Sequence, residues 1–162
     1  MEIVPLKLSL IPDVARIYAE VINPTYITEG ELHYGVADDI GKFSDKAPQM
    51  FEEDLHHLLD DPGSVLFVAL DEGRAVGFIY ADMDQADAEP SYSECWLHDM
   101  GVTPLFQGRG IGKQLLDRAC QWGKENGARY FLLKSGFKNH TAHALFEAEG
   151  FIPLATTFIK KA

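Results

Sequence analysis

Gln107-Gly108-Arg109-Gly110-Ile111-Gly112-Lys113 decides the reading of this 162-residue chain. Residues 94–102 before it alternate as a strand, and after it Ile111, Leu115, Ala119 and Trp122 recur at helical spacing. The glycines therefore stand where a strand turns into an amphipathic helix. Unpaired N–H groups and the helix dipole favour phosphate at such a start, and glycine lets the backbone approach it closely. Arg109 and Lys113 add positive charge at the same place. Two phosphate patterns fail on spacing. The Walker form needs Gly at 107 and Ser or Thr at 114, where Gln107 and Gln114 stand. The dinucleotide form G-x-G-x-x-G, started at Gly108, needs Gly where Lys113 stands.

Working outward, residues 130–134 are β-rich, so residues 94–134 have the size of a strand-helix-strand crossover between parallel strands. Residues 65–70 and 75–81 flank Asp71-Glu72-Gly73-Arg74, which reads as the turn of an antiparallel hairpin. Residues 2–9 alternate as a strand. Pro12 opens a helix with Val14, Ile17, Tyr18 and Val21 on one face, and Pro48 opens another with Phe51, Leu55, Leu58 and Leu59. Residues 25–45 read as an irregular substrate loop and residues 84–92 as a second loop. A short helix over about 140–149 and a terminal strand pair are expected at the end. The pattern predicts a single domain over 1–162 of α/β (α+β) class, with a mixed, mostly antiparallel sheet flanked by helices.

Composition narrows the functions. At 46% hydrophobic and 24% charged residues the chain can bury a core, which excludes a disordered segment. The net charge of -11 opposes binding to nucleic acid or an anionic membrane, and no apolar run approaches the ~20 residues of a membrane span. Residues 1–103 hold 5 Lys/Arg against 21 Asp/Glu, whereas residues 104–138 hold 7 against 2. A basic island around the glycine turn suits an anionic ligand, and the acidic remainder suits a cationic partner. Cys95 and Cys120 form neither a C-x-x-C pair nor a metal-ligand set, so the expectation is a metal-free protein of the reducing cytoplasm.

Gln107-x-x-Gly110-x-Gly112 follows Gly101-Val102-Thr103-Pro104 and precedes Asn139-x-x-Ala142-x-x-Leu145-Phe146-x-x-x-Gly150-Phe151. In order and spacing these motifs, within about residues 94–152, resemble the GNAT superfamily of acyl-CoA-dependent N-acyltransferases. The resemblance implies an N-acetyltransferase that uses acetyl-CoA and acts on a primary amine, by direct attack in a ternary complex. Backbone amides of Gln107, Gly108, Arg109, Gly110, Ile111, Gly112 and Lys113 would hold the CoA pyrophosphate. Met100 and Val102 would align the pantetheine arm in the gap between two splayed parallel strands, and Asn139 would contact it. Phe146 occupies the place where many members carry a Tyr near the thiol sulfur, and a phenyl ring donates no proton. His143, one helical turn earlier, is a substitute donor by position. Many members dimerise through their sheets or C-terminal strands, so a homodimer is among the partners implied.

An alkyl ammonium must lose a proton before it attacks a thioester. Imidazole titrates near neutral pH, and His98 lies four residues before Val102, where members of the family often place a Glu or His base. Glu94 and Asp99 are the alternatives. Strict alternation sets Trp96, His98, Met100 and Val102 on one face and Cys95, Leu97, Asp99 and Gly101 on the other, unless a bulge intervenes near Asp99. The acidic segments 38–39, 52–54, 60–61 and 82–89 would attract a cationic small-molecule amine. The competing readings are a peptide or protein amine as acceptor, and an acyl-CoA-binding sensor without turnover, which the phenyl ring of Phe146 suggests.

Overall fold

The computed structural model describes residues 1–83 and 92–162. In chain order the regular elements are β1 (Glu2–Pro5), α1 (Ile11–Val21), α2 (Glu29–His33), β2 (Ala37–Asp39), β3 (Lys42–Phe43), α3 (Ala47–Leu58), β4 (Ser64–Asp71), β5 (Arg74–Met83), β6 (Glu94–Val102), α4 (Ile111–Glu125), β7 (Tyr130–Leu133) and α5 (His140–Ala148). The chain divides into two compact units, Met1–Val21 with Pro48–Lys134, and Ile22–Ala47 with Ser135–Ala162. No helix among the described residues is long and apolar enough to cross a membrane. The loop expected at 84–92 lies, but for Tyr92, outside the described residues.

The first unit is built on a five-stranded sheet of order β1-β4-β5-β6-β7. Every pairing is antiparallel except β6 with β7, which α4 connects. Glu72 and Gly73 both take positive φ, the geometry of a tight two-residue hairpin turn, and so set β4 against β5. β4 buries Leu66, Phe67, Val68 and Ala69 in succession, because both faces of the sheet are covered. On one face α1 buries Ile11, Val14, Ile17 and Tyr18, and Tyr18 stacks on Phe51 of α3 with ring centroids 4.0 Å apart. On the other, α4 buries Ile111, Leu115, Leu116 and Ala119.

Gly123 of α4 is where that second face closes most tightly. A Cβ there would lie 2.6 Å from Phe131 Cε1 and 3.0 Å from Cys95 Sγ. Overpacking a close-packed core costs about 1–3 kcal/mol, so Gly123→Ala is expected to lower the unfolding free energy by that amount in denaturant titration. An unchanged midpoint would refute the tight contact.

The second unit corrects the expectation of an irregular stretch over 25–45, which holds α2 and the β2–β3 pair. The local reason is a reciprocal cap. Thr28 Oγ1 accepts from the Gly30 N–H at 3.2 Å while Glu31 Oε2 accepts from the Thr28 N–H at 2.6 Å, and this supports a helix too short for apolar periodicity to announce. Gly41, at φ 78°, closes the β2–β3 turn. Gly136 packs so closely that a Cβ would sit 2.1 Å from Thr25 O. The expected terminal strand pair is not formed: residues 151–162 are neither helix nor strand. A strand exists only where a neighbour takes its backbone groups, and Pro153 has no N–H to offer. Ile152, Leu154 and Phe158 are accordingly more than four-fifths exposed. Lys161 nevertheless bonds Asp39 at 2.5 Å, and that hydrogen bond holds the Asp39 carboxyl below its ordinary range.

Candidate active site

β6, which holds most of the candidate residues, is irregular. Its pairing with β5 sets Met100 opposite Ile79 but Leu97 opposite Ala81, so three steps along β6 match two along β5. The extra residue is a bulge at His98–Asp99. It divides the face that strict alternation would have made common. A Cβ on Gly77 would meet Leu115 of α4 and Cγ2 of Val102, which puts Val102, and with it Met100, on the α4 side. A Cβ on Gly101 would meet Val21 and Phe78 on the α1 side. His98 lies on the α1 side too, stacked on Tyr80 at 4.7 Å and on Trp96 at 6.4 Å. The expectation that Trp96, His98, Met100 and Val102 share one face is thus corrected by the bulge.

His98 is partly exposed, and its Nε2 lies 2.6 Å from Asp82 Oδ2. The Tyr80 hydroxyl donates to the same oxygen at 3.2 Å. Burial, with the charge of Asp82 beside it, pushes the Tyr80 phenol up to about 12, so it stays a neutral donor at physiological pH. Glu94 accepts from Trp96 Nε1 at 3.1 Å and from the Tyr92 hydroxyl, which raises the Tyr92 phenol. Asp99 is exposed in the bulge. The sequence did not point to Tyr80, and it pointed to Asp82 only as the start of the acidic segment 82–89, not as a partner of His98. Their approach to His98 depends on cross-strand register, which leaves no local signal.

The β6–β7 ladder ends where Leu97 faces Leu133. From His98 to Val102 the β6 edge therefore has no β7 partner, and it leads through the 3-10 turn Pro104–Phe106 to the glycines. Gly108 and Gly110 take φ of 74° and 76°, and a Cβ on either would meet nothing within 4 Å. Gly110 caps α4 without a side-chain hydrogen bond, and no acidic residue occupies the first turn. The open left-handed glycines and the helix start together suit a polyanion such as pyrophosphate. Gln107 has a role that the motif alone did not reveal. Its Nε2 donates to Val102 O at 2.9 Å and its own N–H donates to Pro104 O at 3.3 Å, so it ties the turn to the end of β6. Ile111 is buried and anchors α4. Arg109 lies 4.8 Å over the Phe106 ring, and Lys113 pairs with Asp117 at 3.4 Å, both at the exposed rim with Gly112 between them.

The remaining predicted residues belong to the second unit. Asn139 caps α5, its Oδ1 accepting from the Ala142 N–H at 3.4 Å. Phe146 packs edge-on against Phe151 at 6.0 Å, and His143 against His140 at 6.1 Å. In the first unit, burial and the neighbouring Cys120 thiol push Cys95 up to about 12. Only thiolates alkylate readily. Iodoacetamide at about pH 8 is expected to leave Cys95 unmodified in the native protein and to label it after denaturation, as read by peptide mass spectrometry.

Comparison with known proteins gives the family and the fold. An N(6')-acetyltransferase type 1 for aminoglycosides from Stenotrophomonas maltophilia is 30% identical over 65% of this chain and 70% of its own length. An uncharacterised N-acetyltransferase from Methanocaldococcus jannaschii is 32% identical over 52% of this chain, an alignment that spans only 38% of that relative. The solved structure of the aminoglycoside N-acetyltransferase AAC(6')-Iy in complex with CoA shares the fold, with a TM-score of 0.70 at 20% identity over 99% of this chain and 93% of that one. A family model described as the acetyltransferase (GNAT) family matches residues 32–151, from α2 through the bulged strand and the glycine turn to the end of α5, and this chain belongs to that family.

Proposed function

We propose that the protein transfers an acetyl group from acetyl-CoA to a primary amine of a cationic small molecule, by direct attack with both substrates bound. The observation that carries this reading is the β6 edge, which runs without a β7 partner from the His98 bulge to the glycine turn. Along that edge Met100 and Val102 offer backbone groups to a pantetheine arm, while the amides from Gly108 to Lys113 take the pyrophosphate; the Gln107 amide, expected in that set, is instead engaged by Pro104 O. The CoA complex of the structural relative supports this choice of donor. The net charge of -11 and the aminoglycoside relative support a cationic acceptor. A family match that draws on both units supports one transferase domain.

His98 is the proposed base, ahead of Glu94 and Asp99. Freeing an amine of pKa ~10.4 at pH 7 costs about 4.6 kcal/mol, and His98 takes the proton as the nitrogen attacks. The C–N bond forms and the C–S bond breaks. CoA leaves as a thiolate whose pKa of about 8.5 makes a strong acid dispensable, which accommodates the phenyl ring of Phe146. A backbone N–H near Val102 stabilises the oxygen on which charge develops, as the family pattern implies.

The test is thiol release from acetyl-CoA with polyamines, aminoglycosides, amino acids and basic peptides. Turnover of one cationic amine class is expected. Acetyl-CoA binding without turnover of any amine would favour the sensor reading, and turnover confined to peptides would move the acceptor to a protein terminus or side chain.

A further inference from the structure

We propose that Asp82 is a positioning residue for the acetyl transfer, holding His98 by its Nε2–H so that Nδ1 is the nitrogen that receives the amine proton. The inference rests on the reading of His98 as base and adds what that reading leaves open, namely which nitrogen acts and what orients the ring. The 2.6 Å contact joins His98 Nε2 to Asp82 Oδ2. A carboxylate has only acceptor sites, so the imidazole must donate, and a neutral ring that carries its hydrogen on Nε2 has its lone pair on Nδ1.

Three further features fix this arrangement. Asp82 pairs in register with Trp96, which makes it a diagonal neighbour of His98 across the β5–β6 ladder and places both on the α1 face. The Tyr80 hydroxyl donates to the same Oδ2 at 3.2 Å, so the carboxylate is itself held in place. Tyr80 and Trp96 stack on the imidazole at 4.7 and 6.4 Å, which opposes ring rotation. When the amine proton arrives at Nδ1, the ring becomes an imidazolium beside an ionised carboxylate, and the Nε2–H bond becomes charge-assisted. No proton needs to reach Asp82. A structural role alone would fix the same tautomer, but it predicts neither a loss of kcat at constant KM nor a coupling to His98 in turnover.

Two readouts together test the inference. The first is the 15N spectrum of the His98 imidazole in the neutral state, assigned by its loss in His98→Ala. The Nε2–H tautomer is expected in the native protein and in Asp82→Asn, which keeps an acceptor oxygen, and the Nδ1–H tautomer is expected to gain population in Asp82→Ala. The Nδ1–H form in the native protein, or an unchanged tautomer in Asp82→Ala, overturns the inference. The second is kcat and acceptor KM with kanamycin and with spermidine. Asp82→Ala is expected to lower kcat about 10- to 100-fold with KM within about twofold, the size of a lost hydrogen bond to a charged group. The Asp82→Ala/His98→Ala double variant is expected to match His98→Ala alone, because the two residues act as one unit. A native kcat in Asp82→Ala, or losses that add in the double variant, also overturns it. Native turnover in His98→Ala would instead remove the base reading, and silence with both amines would remove the chosen acceptors. In either event the tautomer spectra still decide whether Asp82 sets the His98 tautomer, and without a base role for His98 the positioning role falls with it.

Discussion

His98→Ala is expected to lower kcat for amine acetylation about 10²- to 10⁴-fold while acetyl-CoA binds as in the native protein, the range by which a positioned base accelerates a proton transfer. The two effects separate because the bulge separates the surfaces. His98 lies on the α1 side with Tyr80, Trp96 and Asp82, whereas Val102 and Met100 point their side chains to the α4 side. Removing an imidazole that is 37% exposed leaves no buried cavity, so the fold should survive and thermal unfolding should barely move. Stopped-flow thiol detection would give the rate, and calorimetry the acetyl-CoA affinity. Loss of acetyl-CoA binding in this variant would make His98 a structural residue of the donor site. An unchanged kcat would pass the base role to Glu94 or Asp99.

The second large effect is expected at the glycine turn. Gly110→Val should weaken acetyl-CoA binding about 10- to 100-fold, with a smaller loss of stability. Gly110 sits at φ 76° as the cap of α4, and a β-branched residue there carries left-handed strain of about 1–3 kcal/mol. The protein itself offers no clash, since a Cβ at Gly110 meets nothing within 4 Å. The open space it would enter is where the pyrophosphate is proposed to lie, and a strained backbone would re-aim the first N–H groups of α4. Gly41→Val supplies the control. It sits at φ 78° in the β2–β3 turn with the same open surroundings, so it should lose stability and keep its acetyl-CoA affinity. Equal losses of affinity in both variants would mean that destabilisation alone explains the effect.

Much of the sheet was legible because its determinants are local. The strand expected over 94–102 has the bounds of β6, although the bulge breaks its alternation, and Glu72-Gly73 turns the hairpin as its glycine predicts. The glycine turn could be read to the residue, since a left-handed position before a helix demands the amino acid that tolerates it. Elements that rest on reciprocal side-chain bonds or on distant partners were read less well. α2 depends on the Thr28–Glu31 cap, and the missing terminal strands lacked a partner for their backbone groups.

The sequence by itself determined the strand-turn-helix at residues 94–125, its suitability for a polyanion, the hairpin before it, and His98 as the residue to test. These follow from periodicity, glycine conformation and titration range, which are properties of neighbouring residues. Only the tertiary structure decided that β6 bulges at His98–Asp99, that Met100 and Val102 therefore turn away from His98, and that Asp82 and Tyr80 approach it from β5. A bulge is a mismatch in register between two strands, and a hydrogen bond between residues sixteen positions apart exists only once that register is set.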